Sequence, residues 1–182
     1  DVADRVADDR GSKARDRGLE GGLGAPLEHQ VEELDLVTCR LAFHHFPRPE
    51  RAAGELARVL KPGGTLGFTD NIVVADPAGK AHYNTFERLR DPSHHEVLAL
   101  AALIAVLEGA GLYTVLTRRL TKELEFHEWA DRQRASAADK ARLIEMLRSL
   151  PPALAPLLAP RWADGTTYFT LWEAVIVARK PG

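Results

Sequence analysis

Cysteine is nearly absent from the sequence, since Cys39 is the only one in 182 residues. A single thiol excludes an internal disulfide and any multi-cysteine zinc site, and it favours a reducing compartment. Long apolar runs are missing as well, because none reaches the roughly 18 residues that span a bilayer. Residues 1–5 contain no apolar segment of the kind found in secretion signals. We therefore expect a cytoplasmic location.

An excess of charge of one sign is also lacking: the formal net charge is −2, with 27% charged residues. This balance favours neither disorder nor a surface for binding nucleic acid. The hydrophobic share of 45% over 182 residues predicts one globular domain with a sizeable core. The chain begins with Asp instead of Met, and we expect a processed chain, an expression product or a fragment.

Residues 1–33 differ from the rest of the chain. Asp, Arg and Ala dominate residues 1–18, and the breaker cluster Gly-Gly-Leu-Gly-Ala-Pro follows at 21–26. We interpret 3–17 as a solvated helix at best and 18–31 as a loop. The sequence thus divides into an atypical polar segment, 1–33, and a main part, 34–182.

The main part opens with a strand–helix–strand pattern. Residues 34–39 form a short apolar run of strand length, and Pro49 suits the first turn of a helix. Leu-Lys-Pro-Gly-Gly at 60–64 is expected to end that helix, and 65–69 reads as a second strand. Such a unit implies parallel strands.

The remaining elements complete an α/β pattern. We predict helices at 78–90, 96–108, 125–133 and 137–150, short turns in the proline-containing stretch 151–160, and strands at 112–120 and 168–178. Ser93 and Glu96 have the spacing of a capping box for the second of these helices.

Two predicted strands end in polar residues. The first opens into Arg40, His44 and His45 among aromatic residues, and the second into Asp70 and Asn71. In an open α/β sheet, ligands bind beyond the carboxyl ends of the strands. Alternatively, the phenylalanines belong to the core and the histidines cap the next helix; composition leaves both interpretations open. Adjacent histidines point apart and no carboxylate accompanies them at ligand spacing, so we predict no metal site.

The motifs at 35–40, 42–47, 56–64 and 70–71 resemble class I S-adenosylmethionine-dependent methyltransferases. They are most similar to the ubiquinone/menaquinone-methyltransferase-like (methyltransferase type 11) branch, and residues 88–94 match a stretch of one bacterial subgroup. The resemblance runs from about residue 34 to residue 180. It implies a Rossmann-like open sheet in which 34–39 and 65–69 are the fourth and fifth strands and the last two strands pair antiparallel at one edge.

The resemblance also implies a cofactor, S-adenosyl-L-methionine, and a small-molecule methyl acceptor. Methyl transfer requires in-line alignment of donor and acceptor, and imidazole suits the role of a base near neutral pH. The residues that the resemblance places at the site fall into three groups, namely Cys39, Arg40, Leu41 and His44 for the cofactor, His45 and His94 for catalysis, and Asp70, Asn71, Arg90 and Asp91 for the substrate. Cys39 itself reads as a small buried hydrophobe and not as a nucleophile.

The sequence departs from the family at its beginning. The first strands and the glycine-rich loop that approaches the cofactor are missing or replaced, because Gly21–Gly24 lacks a preceding strand and a following helix. We therefore expect the C-terminal two-thirds of a methyltransferase. The alternative is a catalytically inactive remnant that acts through protein–protein contacts. The unpaired edge of the strand at 34–39 is expected to form a homodimer or to be covered by residues 1–33.

Overall fold

The structure is a computed structural model that describes residues 34–163 and 165–182. Expectations for residues 1–33, including the glycine cluster, lie outside the described residues. Within the described part the chain forms five strands, six α-helices and a 3-10 turn at Phe43–His45. In chain order these are β1 (Leu34–Arg40), α1 (Pro49–Val59), β2 (Leu60–Asn71), α2 (Pro77–Arg90), α3 (Leu100–Gly109), β3 (Tyr113–Glu125), α4 (Phe126–Asp131), α5 (Ala137–Arg148), α6 (Ala155–Leu158), β4 (Arg161–Ala163) and β5 (Thr166–Arg179).

The strands form one open, mixed sheet in the order β1-β2-β5-β3, with β4 paired to the start of β5. β1 and β2 are parallel, which confirms the predicted strand–helix–strand unit. β5 runs antiparallel to both β2 and β3. The predicted antiparallel pairing of the last two long strands is therefore confirmed, and the fold class is α/β.

One face of this sheet carries the first core. Val37 of β1, Phe68 of β2 and Ile176 of β5 are all at most 2% exposed and pack beneath α1 and α3. The alternation of apolar residues explains why this face is buried, since successive side chains in a strand point to opposite faces. On the other face, Leu36 of β1 is 59% exposed. Among the described strands β1 pairs only with β2 and lies at an edge of the sheet.

The segment after α1 differs from the prediction. The helix ends at Val59, and β2 already starts at Leu60, so residues 61–64 form an irregularity inside the strand. The pairing with β1 jumps from Leu34–Leu60 to Leu36–Thr65. An added Cβ on Gly64 would lie 2.8 Å from the carbonyl oxygen of Lys61, so this close approach of two backbones requires glycine.

A second core lies beyond the end of β2, between helices α2, α4, α5 and α6 and the first half of β5. Its centre is a set of aromatic rings, in which Phe86 stacks on Trp129 with centroids 4.9 Å apart and Phe169 meets both rings edge-on. The predicted helix at 78–90 is thus confirmed, with Phe86 fully buried. None of the helices in the described ranges is long and apolar enough to cross a membrane.

Several other segments also differ from the prediction. The helix expected from residue 96 begins at Leu100, and its N-cap, Ala99, makes no side-chain capping bond. β3 continues five residues beyond the predicted 120 because it pairs with β5 as far as Glu125–Tyr168. The proline-containing stretch is followed by the three-residue strand β4 and includes the short helix α6.

Candidate active site

Buried polar groups are concentrated in one region of the structure. Six polar or charged residues are buried in the described part of the chain, and all but one of them lie between β2 and the segment after α2. They are Asp70, Asn84, Glu87, Asp91, His94 and, elsewhere, Thr167. Burying polar groups costs free energy unless they are paired, and it is therefore informative when they cluster at one place. The cluster lies at the carboxyl ends of β1 and β2.

His44 and Asp70 form the centre of this cluster. Asp70 is 2% exposed at the end of β2, and its Oδ1 lies 2.5 Å from Nδ1 of His44. The backbone N–H of His44 donates to Oδ2 of the same carboxylate at 3.1 Å, and that of Asn71 donates to Oδ1 at 2.7 Å. Three donors therefore hold the carboxylate, and the carboxylate in turn orients the imidazole. Such an arrangement leaves Nε2 of His44 as the nitrogen free to take a proton.

His45 is held by the segment that follows α2. Its Nδ1 lies 3.1 Å from the carbonyl oxygen of Ser93. The hydroxyl and backbone N–H of Ser93 donate to Oδ1 of Asp91, at 2.6 and 2.9 Å. Burial raises the pKa of Asp91, but these two hydrogen bonds, together with the nearby His45 and Arg90, outweigh it and hold the pKa below its usual value. Asp91 thus stabilises the turn that fixes His45.

His94 contacts the buried face of α2. Its Nε2 lies 2.8 Å from Oδ1 of Asn84, which also accepts the backbone N–H of Val97 at 2.6 Å. Burial lowers the pKa of His94 to about 3, and the neighbouring His44, His45 and Arg88 act in the same direction. His94 is therefore neutral across the physiological range.

The three imidazoles lie close together. Ring centroids are separated by 4.1 Å between His44 and His45, 5.5 Å between His44 and His94, and 6.4 Å between His45 and His94. In the described ranges no three His, Cys, Asp or Glu side chains are arranged to hold a metal ion. The cluster is therefore a hydrogen-bonding site with a carboxylate behind one of its rings.

A second buried acid, Glu87 of α2, lies beside the three histidines. Glu87 is 3% exposed, accepts the hydroxyl of Tyr83 at 3.3 Å and has Arg90 3.5 Å away. Burial raises the pKa of Glu87, and the nearby guanidinium of Arg90 and imidazole of His44 offset this only in part. The guanidinium of Arg90 also lies 4.4 Å from the ring centroid of Trp129. Arg90 therefore packs against the second core, at the border of the site.

The other residues predicted at the site lie where β1 and β2 end. Cys39 packs in the first core, which confirms the prediction that it is a small buried residue, and burial, with the charge of Asp70, raises its thiol pKa to about 12. Arg40 is exposed on the opposite face of β1. Leu41 has a φ of 49°, and its N–H donates to the carbonyl oxygen of Thr69. This turn directs the chain from β1 toward His44.

The alternative interpretation of the histidine motif is correct for Phe43, holds in part for Phe46, which is partly buried against the first core, and is wrong for the histidines. Phe43 is 3% exposed and packs edge-on against Phe68 in the first core. The N-cap of α1 is Arg48, which makes no side-chain capping bond. The histidines instead bind Asp70 and the turn containing Ser93.

Three residues of α2 join this hydrogen-bonded cluster but were not predicted at the site, and Ser93, predicted as a helix cap, joins it too. Tyr83, Asn84 and Glu87 share one face of the helix by their spacing. A polar stripe of this kind is usually exposed, so the sequence gives no sign that it is buried. The one signal in the sequence is Asn84, because asparagine is unfavourable inside a helix and its presence there can indicate a specific role.

Comparison with known proteins defines the class of this chain. The sequence profile of the family described as "Methyltransferase domain" matches residues 5–68. The structure superposes on BH2331 of Bacillus halodurans C-125, provisionally named a methyltransferase, with a TM-score of 0.77 and 33% identity over 83% of this chain and 71% of that one. It superposes on YcgJ of Bacillus subtilis with a TM-score of 0.78 and 25% identity over 86% of this chain and 68% of that one. The chain belongs to the class I S-adenosylmethionine-dependent methyltransferases.

Curated relatives are longer than this chain. It is 28% identical over 152 residues to the uncharacterized methyltransferase YcgJ of Bacillus subtilis (strain 168), covering 81% of this chain and 60% of that protein. It is 33% identical over 119 residues to the uncharacterized protein YafE of Escherichia coli (strain K12), covering 64% and 56% respectively. The chain therefore spans less than two thirds of the length of either relative.

Proposed function

We propose that the protein transfers a methyl group from S-adenosylmethionine to a small-molecule acceptor, in the crevice at the carboxyl ends of β1 and β2. The observation that supports this most directly is the buried pair of His44 and Asp70 at 2.5 Å. A carboxylate behind an imidazole fixes its orientation and stabilises the imidazolium that forms when the ring accepts a proton. Both residues lie at strand ends, where ligands of open α/β sheets bind.

The residues present fit one end of the cofactor. The side chain of Arg40 is exposed and makes no ion pair or hydrogen bond within the described part of the chain, and we propose that its guanidinium holds the cofactor's carboxylate. Leu41 and Cys39 contribute through their backbone, because the Cys39 side chain lies in the core. When bound, the cofactor supplies a sulfonium-linked methyl group and leaves as a neutral thioether.

We assign the role of base to His44 and a positioning role to His94. A base is effective when its pKa lies near the working pH, and the pKa of His94, about 3, is too low. His45 has no carboxylate on its ring and is held by a carbonyl oxygen, so we propose that it contacts the acceptor. Asn71 contributes its backbone N–H, which donates to Oδ1 of Asp70. Asp91 acts through Ser93, and Arg90 closes the border of the site.

Calorimetry with S-adenosylmethionine tests this proposal. We expect micromolar binding, weakened at least about tenfold by Arg40→Ala with unchanged thermal stability, because Arg40 lies outside the core. Arg118→Ala is the matched control. This exposed arginine on β3 pairs with Val175, and through Val175 and Thr69 it lies at the same level of the sheet as Arg40. No heat at millimolar cofactor would favour an inactive remnant that acts through protein contacts.

The reaction itself is tested through the carboxylate. Asp70→Asn is expected to lower methyl transfer by about 10²–10⁴-fold, the usual contribution of general-base catalysis. Asp76→Asn is the control, because Asp76 caps α2 by accepting the N–H of Gly79 at 2.8 Å and contacts none of the histidines. Equal activity in Asp70→Asn and the wild type would contradict the assignment of His44 as base.

For partners, we propose that a second copy of the chain pairs with β1 and that the protein works in the cytoplasm as a homodimer. Antiparallel pairing of two β1 strands about Val37 sets Leu34 opposite Arg40 and Leu36 opposite Thr38, with no like charges facing. At the other edge, antiparallel pairing of two β3 strands about their midpoint would place Arg119 opposite Arg119 of the second copy. Like charges that face each other disfavour pairing at that edge. Light scattering after size-exclusion chromatography tests this, and a monomer would contradict it.

A further inference from the structure

One face of the sheet is covered at one end only. Phe169 and Leu171 of β5 point from this face into the second core. Beyond them, the face is formed by every second residue of 36–40, 65–71, 116–120 and 173–179 together with Tyr113, which the strand pairing places on one side of the sheet. These residues alternate with those that build the first core on the opposite side. We call this surface the open face.

The open face exposes apolar side chains. Six large hydrophobic residues are exposed in the described part of the chain, and four of them lie here, namely Leu36, Tyr113, Leu116 and Leu120, at 59%, 48%, 40% and 49%. The half-buried Val177 lies between the two outer strands that carry them. An exposed apolar surface of this kind marks a site of interaction.

No element of the described chain lies over the middle of this face. Gly67 of β2 is located there, and a Cβ added to it would come within 4 Å of only two atoms outside its chain neighbours, Cγ2 of Thr38 at 3.6 Å and the carbonyl oxygen of Val37 at 4.0 Å. Both atoms belong to the adjacent strand β1. The centre of the face therefore has room for side chains from another segment.

The charges of the open face are mostly positive. It carries three arginines, Arg40, Arg118 and Arg179, and one acid, Glu173. Arg118 and Arg179 are exposed, and their side chains make no ion pair or hydrogen bond with other residues of 34–163 or 165–182. An occupant that complements this surface brings apolar side chains and carboxylates together. A second open face would bring arginines against arginines, which disfavours a second copy of the chain as the occupant.

The sequence immediately before β1 has the required composition. Residues 19–33 carry four large apolar residues at a constant spacing of four, with four glutamates and no Lys or Arg; the apolar residues are Leu19, Leu23, Leu27 and Val31. The segment leads directly into β1, whose third residue, Leu36, belongs to the open face. The face is three strand spacings wide, about 15 Å, and a chain of this length reaches up to about 50 Å. The match to the family profile, over residues 5–68, also includes this segment together with β1 and most of β2.

We propose that residues 19–33 fold back onto the open face and cover it, with their apolar side chains against Leu116 and Leu120 and their glutamates near Arg118 and Arg179. The contact joins the beginning of the sheet, at β1, to its far edge, at β3. It buries apolar side chains that the rest of the described chain leaves exposed. The backbone edge of β1 stays available for pairing, because the segment lies on the face of the sheet and not along its edge.

Thiol labelling of the full chain tests this cover. Leu116→Cys places a thiol on the open face, and Thr117→Cys places one on the next residue of β3, which is exposed on the opposite face. With iodoacetamide, a neutral reagent, we expect Leu116→Cys to react at least about tenfold more slowly than Thr117→Cys at every protein concentration. Leu120→Cys and its neighbour Thr121→Cys repeat the comparison at a second position. The buried Cys39 reports unfolding in each variant, because it reacts only when the fold opens.

Variants in the segment identify the occupant. The double substitution Leu27→Asp and Val31→Asp puts charges onto apolar contacts and should bring the labelling rate of Leu116→Cys to within about twofold of Thr117→Cys. The control, His29→Asp and Gln30→Asp, adds the same two charges at polar positions and should leave the protection in place. Equal rates for the two thiols in the otherwise unchanged chain would overturn the proposal. Protection that grows with protein concentration would assign the face to a second copy, and protection that survives Leu27→Asp and Val31→Asp would assign it to another segment; each of these results also overturns the proposal.

Discussion

Asn84 makes the strongest single prediction about this site. The side chain is 3% exposed and makes four hydrogen bonds, to Lys80, Val97 twice, and His94. The substitution Asn84→Ala removes all four. The carbonyl oxygen of Lys80 lies in α2 and keeps its helical partner, but both backbone groups of Val97 and the ring N–H of His94 lose theirs.

The size of the effect follows from those three groups. Val97 is 1% exposed and His94 5%, so water reaches the freed groups poorly. A buried polar group left without a partner costs about 1–3 kcal/mol. Some water can enter the vacated space and the neighbouring groups can relax. We therefore expect a cost near the low end of this range for each of the three groups. Asn84→Ala should then lower the free energy of unfolding by about 3 kcal/mol.

Urea unfolding measures this directly. The midpoint should fall at an unchanged slope, since the native surface stays the same. Thr85→Ala is the control: this exposed neighbour on α2 donates only to the carbonyl oxygen of Ala81, and its loss should cost about 0.5 kcal/mol or less. A loss below about 1 kcal/mol for Asn84→Ala would refute the claim that these groups are buried and paired.

Other predictions concern the strand irregularity, the pH dependence and the thiol. Gly64→Ala should destabilise by about 1–3 kcal/mol because its Cβ meets backbone oxygens at 2.8 and 3.0 Å, while Gly54→Ala, with open space in α1, should stabilise by about 0.5–1 kcal/mol; urea unfolding that gives equal effects would contradict this. The pKa of His94 is about 3 in the fold and ordinary in the unfolded chain. Between these values only the unfolded chain binds the proton, so the protein becomes less stable as the pH is lowered from about 6.5 to 3. Denaturation series across this range should show the decline flattened in His94→Gln by up to about 1.4 kcal/mol per pH unit, and parallel curves would exclude His94. Cys39, with its pKa raised to about 12, should resist a thiol reagent at pH 8 in the native protein and react at once in urea; rapid native labelling would show that the thiol is not buried.

Sequence reasoning predicted the sheet better than the site. The apolar runs at 34–39 and 65–69 define strands in any context, and the helix between them requires a parallel pair. β3 was predicted too short, because its second half, with Thr121, Lys122 and Glu123, carries no apolar alternation. That half is an exposed edge, and its only reason to be extended is the pairing with β5, a contact between distant parts of the chain.

The polar face of α2 shows why the sequence pointed to only part of the buried polar cluster. The strand ends with His44, His45 and Asp70 could be chosen because topology brings the ends of parallel strands together. Tyr83, Asn84 and Glu87 could not, because the same residues are equally suited to an exposed helix face. Contacts outside the helix bury them: Tyr83 packs in the second core with Trp129, more than forty positions away, and Asn84 bonds to His94 and Val97 in the segment after α2.

The segment between α2 and α3 was predicted wrongly for a reason that concerns function. Ser93 and Glu96 have the spacing of a capping box, and locally a helix could start there. In the fold, Ser93 donates to Asp91, Glu96 pairs with Lys80, and the N–H groups of His95 and Glu96 both donate to the carbonyl oxygen of His44. Two backbone bonds to the loop after β1 thus take the place of a helical turn. These bonds join His44 to the segment that carries His94. If a helical turn formed at Ser93–Glu96 instead, the bonds would be lost and the three imidazoles would no longer lie together.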